Sequence, residues 1–296
     1  MTKKILEHFE KVDELFDKLA AKNKESLENA KIKPIHELFP FAQNGICAMI
    51  GVMSSGKTYN YLKLAAMQEN IFHKPFFETI VICSTSGEFD KTVKTFKEAI
   101  NKSKIIAVKD ADILNFLEEH TQKIQFHNTL MKFVLNDFKN PDENMQQIIN
   151  ENRLHKPQKL FQFISKKLIE IGWNTYPSRL LLIFDDFSSH PLLKRKEEPL
   201  SRMLKKLRHF NINVIIVVQT VKSIPKDLKR ILSDLILFPG ISEEDFRYLI
   251  RESSASCFDH EKYWNHYSKI KDQQTMFVMH ISAKRVLIHN HGAPVK

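Results

Sequence analysis

Glycine is scarce in this chain, 7 of 296 residues, against roughly 7 % in an average protein. A chance match to a glycine-dependent motif is correspondingly rare. Cysteine is scarce too: Cys47, Cys83 and Cys257 form no Cys-x-x-Cys pair, and the first two stand in apolar, strand-like runs. That usage points to a reducing compartment. Cys257 with His260, His266, His289 and His291 matches no strong zinc spacing. Residues 1 to 20 lack the apolar core of a secretory signal, and no window approaches about 18 uncharged apolar residues, so a soluble chain without a membrane span is expected. No repeat with a period of about 20 to 50 residues is visible, which argues against a solenoid. Negative charge is in deficit, 45 Lys plus Arg against 35 Asp plus Glu, for a net +10 and a sequence pI near 9.3. The imbalance suits a polyanionic partner such as nucleic acid, or serves solubility alone. With 43 % hydrophobic residues the chain can bury a full core, as one large domain with an appendage or as two modest ones.

Two of the rare glycines stand in one motif. Gly51-Val52-Met53-Ser54-Ser55-Gly56-Lys57-Thr58 fits G-x-x-x-x-G-K-[ST] and follows the apolar run Ile46–Ile50. Strand, loop, helix is the context this phosphate loop requires. Its backbone N–H groups, those of Gly51, Ser54, Ser55 and Gly56 among them, would wrap the phosphates at the positive end of the next helix. Lys57 would reach the β- and γ-phosphates, and the Thr58 hydroxyl would ligate Mg²⁺. A nucleoside triphosphate is the expected ligand.

Taken in order, Ile5, Phe9, Val12, Phe16 and Leu19 predict an amphipathic helix over residues 3 to 22, in an N-terminal helical extension spanning 1–42. The remainder, 43–296, reads as alternating strands and helices, which implies parallel strands with helical crossovers. Thr79 to Cys83 is a second strand, and Ile105 to Val108 a short third before Asp110, a candidate cap for the helix carrying Ile113, Leu114 and Leu117. From about 120 to 176 the spacings are helical and no strand signal appears, which marks a helical insertion. Within it, residues 139 to 157, rich in Asn, Asp, Gln and Lys, read as an exposed loop. After Gly240, two helices and then a β-hairpin, Met276–Ile281 and Arg285–His289, are expected to finish the sheet.

A second informative stretch is Leu180-Leu181-Leu182-Ile183-Phe184-Asp185-Asp186, an apolar strand ending in two carboxylates. In an open α/β sheet, ligands bind at the carboxyl ends of the strands. Asp185 is expected to hold Mg²⁺ with Thr58, and Asp186 to orient or deprotonate the attacking water. A further strand, Val214 to Val218, ends in Gln219, whose amide would contact the γ-phosphate or the water. Between these strands lie Lys194-Arg195-Lys196 and a helix with Arg202, Lys205, Lys206 and Arg208 outward, either a solvated face or a DNA-facing one.

The phosphate loop, the strand Leu180 to Asp186, the segment Leu207–Asn213 and the strand ending at Gln219, followed by Ile224-Pro225 and Leu235–Phe238, together resemble the genome-packaging ATPases of large double-stranded DNA viruses and virophages. These are a branch of the FtsK–HerA superfamily. The resemblance covers roughly residues 43 to 240, with the helical insertion uncharacteristic. It implies a P-loop NTPase fold of the additional-strand type, a mostly parallel sheet flanked by helices. It also implies ATP and Mg²⁺ as cofactors, a homo-oligomeric ring, and translocation of double-stranded DNA through a capsid vertex, at a virus assembly site in the host cytoplasm. Many relatives carry Glu after the metal-binding Asp, where this chain has Asp186. The family also supplies an arginine across a subunit boundary, here assigned to Arg208 ahead of Arg230 and Arg202.

Two other function classes fit a phosphate loop. A small-molecule kinase would need an arginine-bearing lid and an acceptor site, and a nucleotide-regulated binding module would tolerate loss of Asp186. Kinases of that type rarely need a strand ending in Gln219, and the basic segment 194 to 208 has no acceptor-pocket motif beside it, which favours the motor.

Overall fold

A computed structural model describes residues 45–68, 77–84, 104–171, 179–187, 199–206, 210, 212–272, 275–281 and 284–290. The expected helix over 3–22, the Lys194-Arg195-Lys196 run and Arg208 lie outside these residues. The described chain divides into two compact units, residues 114–178 and the rest.

In the larger unit, each apolar run becomes a strand: β1 (Ile46–Ile50), β2 (Thr79–Ser84), β3 (Lys104–Val108), β4 (Leu180–Asp185), β5 (Ile212–Val218), β6 (Asp234–Leu237), β7 (Thr275–His280) and β8 (Arg285–Asn290). They form one sheet in the order β3-β2-β4-β5-β1-β6-β7-β8. The first six are parallel to one another, and β7 and β8 close the sheet as a hairpin with β7 antiparallel to β6. Every residue of β1 and β5 is buried. Strands covered on both faces need no polar alternation, which is why these segments read as continuous apolar runs.

The strand order has one consequence for function. β5 lies between β1 and β4, pairing Ile46 with Val214 on one side and Leu180 with Ile212 on the other. The fold is therefore α/β with a strand added between the phosphate-loop strand and the Asp-Asp strand. Because all three run the same way, the residues after Ile50, Phe184 and Val218 emerge along one edge.

Helix α1 (Lys57–Gln68) leaves the loop and buries Tyr59, Tyr61 and Leu62. These share a core with Met49 of β1, Ile183 of β4 and Val217 of β5. Burying one such Ile or Leu contributes roughly 1.5–3 kcal/mol, so an alanine at any of these strand positions would loosen the floor of the site. Two more helices are set by their caps. In α7 (Glu243–Glu252) the Ser242 hydroxyl accepts the Asp245 N–H and three acids occupy the first turn, which suits the positive end of the helix. In α8 (His260–Tyr267) Asp259 accepts the N–H groups of Glu261 and Lys262. Two further helices, α5 (Pro199–Lys206) and α6 (Lys226–Lys229), flank β5 in the chain.

The unit 114–178 consists of α2 (Ile113–Lys139), which begins one residue before it, α3 (Glu143–Glu151) and α4 (Pro157–Glu170). Val134, Ile149, Leu154, Leu160 and Phe161 form its core, and the His127 ring stands edge-on to Phe161 at 4.9 Å. Two local expectations are corrected. Residues 139 to 157 are not an exposed loop, because α3 occupies their middle. Asp142 caps it by accepting the Met145 N–H, and Met145, Ile148 and Ile149 turn inward at helical spacing, a stripe that the surrounding Asn and Gln obscure. Asp110 does not cap α2 directly: it sits in a 3₁₀ turn, Asp110–Asp112, and its carboxylate accepts the Ala111 N–H.

Candidate functional site

The loop after β1 is shaped by backbone that most residues avoid. Ser54 and Gly56 have φ of 61° and 82°, and left-handed residues set close together turn successive N–H groups into a concave, anion-accepting cup. Gly51 is needed for a different reason: a Cβ there would stand 2.6 Å from Cβ of Phe238 and 2.7 Å from the Ser55 hydroxyl. The cup is braced beneath by the Asn60 amide, which donates to the Gly56 carbonyl at 2.7 Å. Alongside, Tyr267 donates to the Phe238 carbonyl at 2.6 Å and accepts the Ile241 N–H at 2.9 Å. Burial pushes the Tyr267 phenol up to about 12, so it keeps the proton it donates.

The Lys57 ammonium donates to the carbonyls of Gly51 at 2.8 Å and Val52 at 2.6 Å. Burial lowers its pKa, while the charges of Asp185 and Asp186 oppose that shift. Both carboxylates therefore act electrostatically on the loop lysine, although more than a hundred residues separate them in sequence. In the first two turns of α1, the Thr58 hydroxyl lies 3.5 Å from Asp185 Oδ2, and the Tyr61 hydroxyl donates to the same oxygen at 2.8 Å.

β4 ends at Asp185, and the chain then turns sharply. Asp186 has φ 56°, a left-handed conformation that Asp tolerates better than most side chains. Across the edge, the Gln219 amide donates to Asp186 Oδ1 at 2.9 Å. Thus Lys57, Thr58, Asp185, Asp186 and Gln219 meet at one edge of the sheet. Of the arginine candidates, Arg208 lies outside the described residues. Arg230 follows α6 on the way to Ser233, whose N–H bonds the Ile46 carbonyl at the opposite edge of the parallel strands. The basic helix α5 is partly neutralised, since Lys205 pairs with Asp227 at 3.2 Å.

A hydroxyl and a carboxylate side by side at the head of the loop suit Mg²⁺, a hard cation that takes few protein oxygens and completes its shell with phosphate and water. Two residues at the site escape a reading of the sequence. Tyr61 is legible in retrospect as a phenol three residues after Thr58, on the same helical face. Tyr267 has no sequence signal, because its partners are backbone groups some 29 residues away.

No helix among the described residues is long and apolar enough to cross a membrane. The fold is similar to that of the genome packaging NTPase B204 from Sulfolobus turreted icosahedral virus 2 in complex with AMPPCP. The two are 16 % identical over 83 % of this chain and 97 % of that one, with a TM-score of 0.46. It is also similar to ATPases 2 and 3 of EssC from Geobacillus thermodenitrificans, at 13 % identity over 86 % of this chain and 41 % of that one, TM-score 0.46. No curated protein matches the chain. The family described as Poxvirus A32 protein matches residues 113–275, more than half of the chain, a span holding Asp185, Asp186 and Gln219 but not the phosphate loop. On that match, this chain belongs to the poxvirus A32 protein family.

Proposed function

We propose that the protein is an ATP-hydrolysing motor that translocates double-stranded DNA and packages a viral genome into a preformed capsid. The observation that carries this reading is the meeting of Lys57, Thr58, Asp185, Asp186 and Gln219 along one strand edge, with Gln219 bonded to Asp186 at 2.9 Å. Gly51, Ser54, Ser55 and Gly56 cradle the phosphates through backbone N–H groups, and Lys57 exchanges its carbonyl partners for phosphate oxygens. Thr58 and Asp185 would hold Mg²⁺, which would supply neutralisation of charge at the phosphates. Asp186 orients or deprotonates the attacking water. Gln219, gripping that carboxylate, registers whether the γ-phosphate is present, the kind of link a motor needs between hydrolysis and movement.

Residues 43–296 form the ATPase domain, with the helical segment of about 120–176 inserted in it and 1–42 as a helical extension. The protein works as a homo-oligomeric ring at a capsid vertex, in the host cytoplasm where virions assemble, and Arg208 reaches the site of a neighbouring subunit. Family membership and the added strand β5 support this reading, and the net charge of +10 suits a DNA partner. ATP turnover with and without double-stranded DNA is the test. A DNA-stimulated rate is expected. Turnover that DNA leaves unchanged and a small hydroxyl acceptor increases would replace the motor by a kinase.

A further inference from the structure

We infer that Tyr61 is a positioning residue for the metal site, holding Asp185 in the orientation that binds the cation; this rests on the reading of Asp185 as the metal anchor. The Tyr61 side chain is 0 % exposed. A phenol so deeply buried needs a partner for its hydroxyl, and here it donates to Asp185 Oδ2 at 2.8 Å, across 124 residues of sequence. An O–H donor on a carboxylate is a strong, orienting hydrogen bond. Thr58, three residues earlier on α1, brings its hydroxyl to 3.5 Å of the same oxygen.

One face of α1 therefore presents two hydroxyls to a single carboxylate oxygen. With Oδ2 held this way, the carboxylate cannot turn about its last torsion without breaking the Tyr61 bond. The link has a mechanical consequence as well. β5 separates β4 from β1 in the sheet, so the strand bearing Asp185 is not hydrogen-bonded to the strand that leads into the phosphate loop. The Tyr61–Asp185 bond instead ties the end of β4 to the helix that leaves the loop. Metal anchor and phosphate cup thus keep their spacing through the buried Tyr61 side chain.

Partners that orient metal ligands typically change metal affinity about 10–100-fold when removed. The test is Mn²⁺ titrated into full-length protein saturated with AMPPCP, with free Mn²⁺ read by electron paramagnetic resonance. Binding of AMPPCP in EDTA serves as the check on the fold. Tyr61→Phe, which keeps the ring, is expected to weaken Mn²⁺ binding about 10–100-fold and to leave EDTA-state AMPPCP binding unchanged. The double variant Tyr61→Phe/Asp185→Asn should bind Mn²⁺ no more weakly than Asp185→Asn alone, because Tyr61 acts through that carboxylate. Unchanged Mn²⁺ affinity in Tyr61→Phe, a loss that simply adds to that of Asp185→Asn, or failure to bind AMPPCP in EDTA would each overturn the assignment. If Asp185→Asn itself binds Mn²⁺ as the parent does, the reading of Asp185 as anchor fails instead.

Discussion

Lys57 is held by two carbonyls of its own loop and felt by two carboxylates from another strand. None of these contacts packs the core. Lys57→Ala is therefore expected to reduce ATP turnover by at least about 10²–10³-fold, as loss of one charge-stabilising donor does elsewhere, with an unchanged thermal melt; a collapsed melt would count against the phosphate role. The adjacent carboxylates separate by what they touch. Asp185 meets the two hydroxyls of α1, and Asp186 meets Gln219. Asp185→Asn should lose Mg²⁺-dependent turnover, while Asp186→Asn should bind nucleotide and fail to hydrolyse it. Asn accepts the left-handed backbone at 186 as readily as Asp and can still accept the Gln219 amide, so the second variant reads chemistry and not strain. Parental hydrolysis by Asp186→Asn would remove it as the base.

At the scale of elements, α3 shows how a cap and a three-residue stripe outweigh composition. Polar residues fill 139 to 157, yet Asp142 satisfies an N–H that would otherwise be orphaned, and Met145, Ile148 and Ile149 reach the local core. Asp142→Ala should cost about 1 kcal/mol, seen as a lower denaturant midpoint for the segment 114–178 and as unaltered nucleotide binding. A full-sized loss of ATP binding would instead show that α3 supports the site. The strands are easier to read: β1, β4 as far as Phe184, and β5 from Val214 on are unbroken apolar runs because both faces are covered, and each is legible to within a residue or two of its ends.

For the whole molecule, two measurements follow from charge. Burial pushes the Cys83 thiol up to about 12 from an ordinary 9.0, and the Tyr267 phenol up to about 12 from 10.0. Raised values mean that the fold keeps protons the unfolded chain releases, so stability present below about pH 9 declines as pH rises towards 12. Cys83→Ala should flatten that alkaline decline, as measured by denaturant midpoints at pH 8 and pH 10.5; an equally steep decline would remove Cys83 as a source. The second measurement concerns DNA. Protein cations that neutralise phosphates release counterions, so binding should be sequence-insensitive and should weaken steeply with salt. Lys194→Ala, Arg195→Ala and Lys196→Ala together should flatten the slope of log affinity against log salt by roughly one unit for each phosphate left without its cation, with basal ATPase unchanged. An unaltered slope would take this run out of the DNA path.

The parts whose physics is local were legible before the fold was known. A phosphate loop needs its glycines and lysine at set spacings, a doubly covered strand needs an unbroken apolar run, and a hairpin needs two runs close together. Hence the loop, the principal strands and the candidates Lys57, Thr58, Asp185, Asp186 and Gln219 could all be named from residues alone. Which oxygen each group meets depends on the folded path of the backbone. That β5 stands between β1 and β4 brings Gln219 to Asp186, and that α1 returns along the sheet brings Tyr61 to Asp185. A hydrogen bond between residues 124 apart leaves no periodic trace in the chain, because it is set by the path of the backbone and not by the spacing of its neighbours.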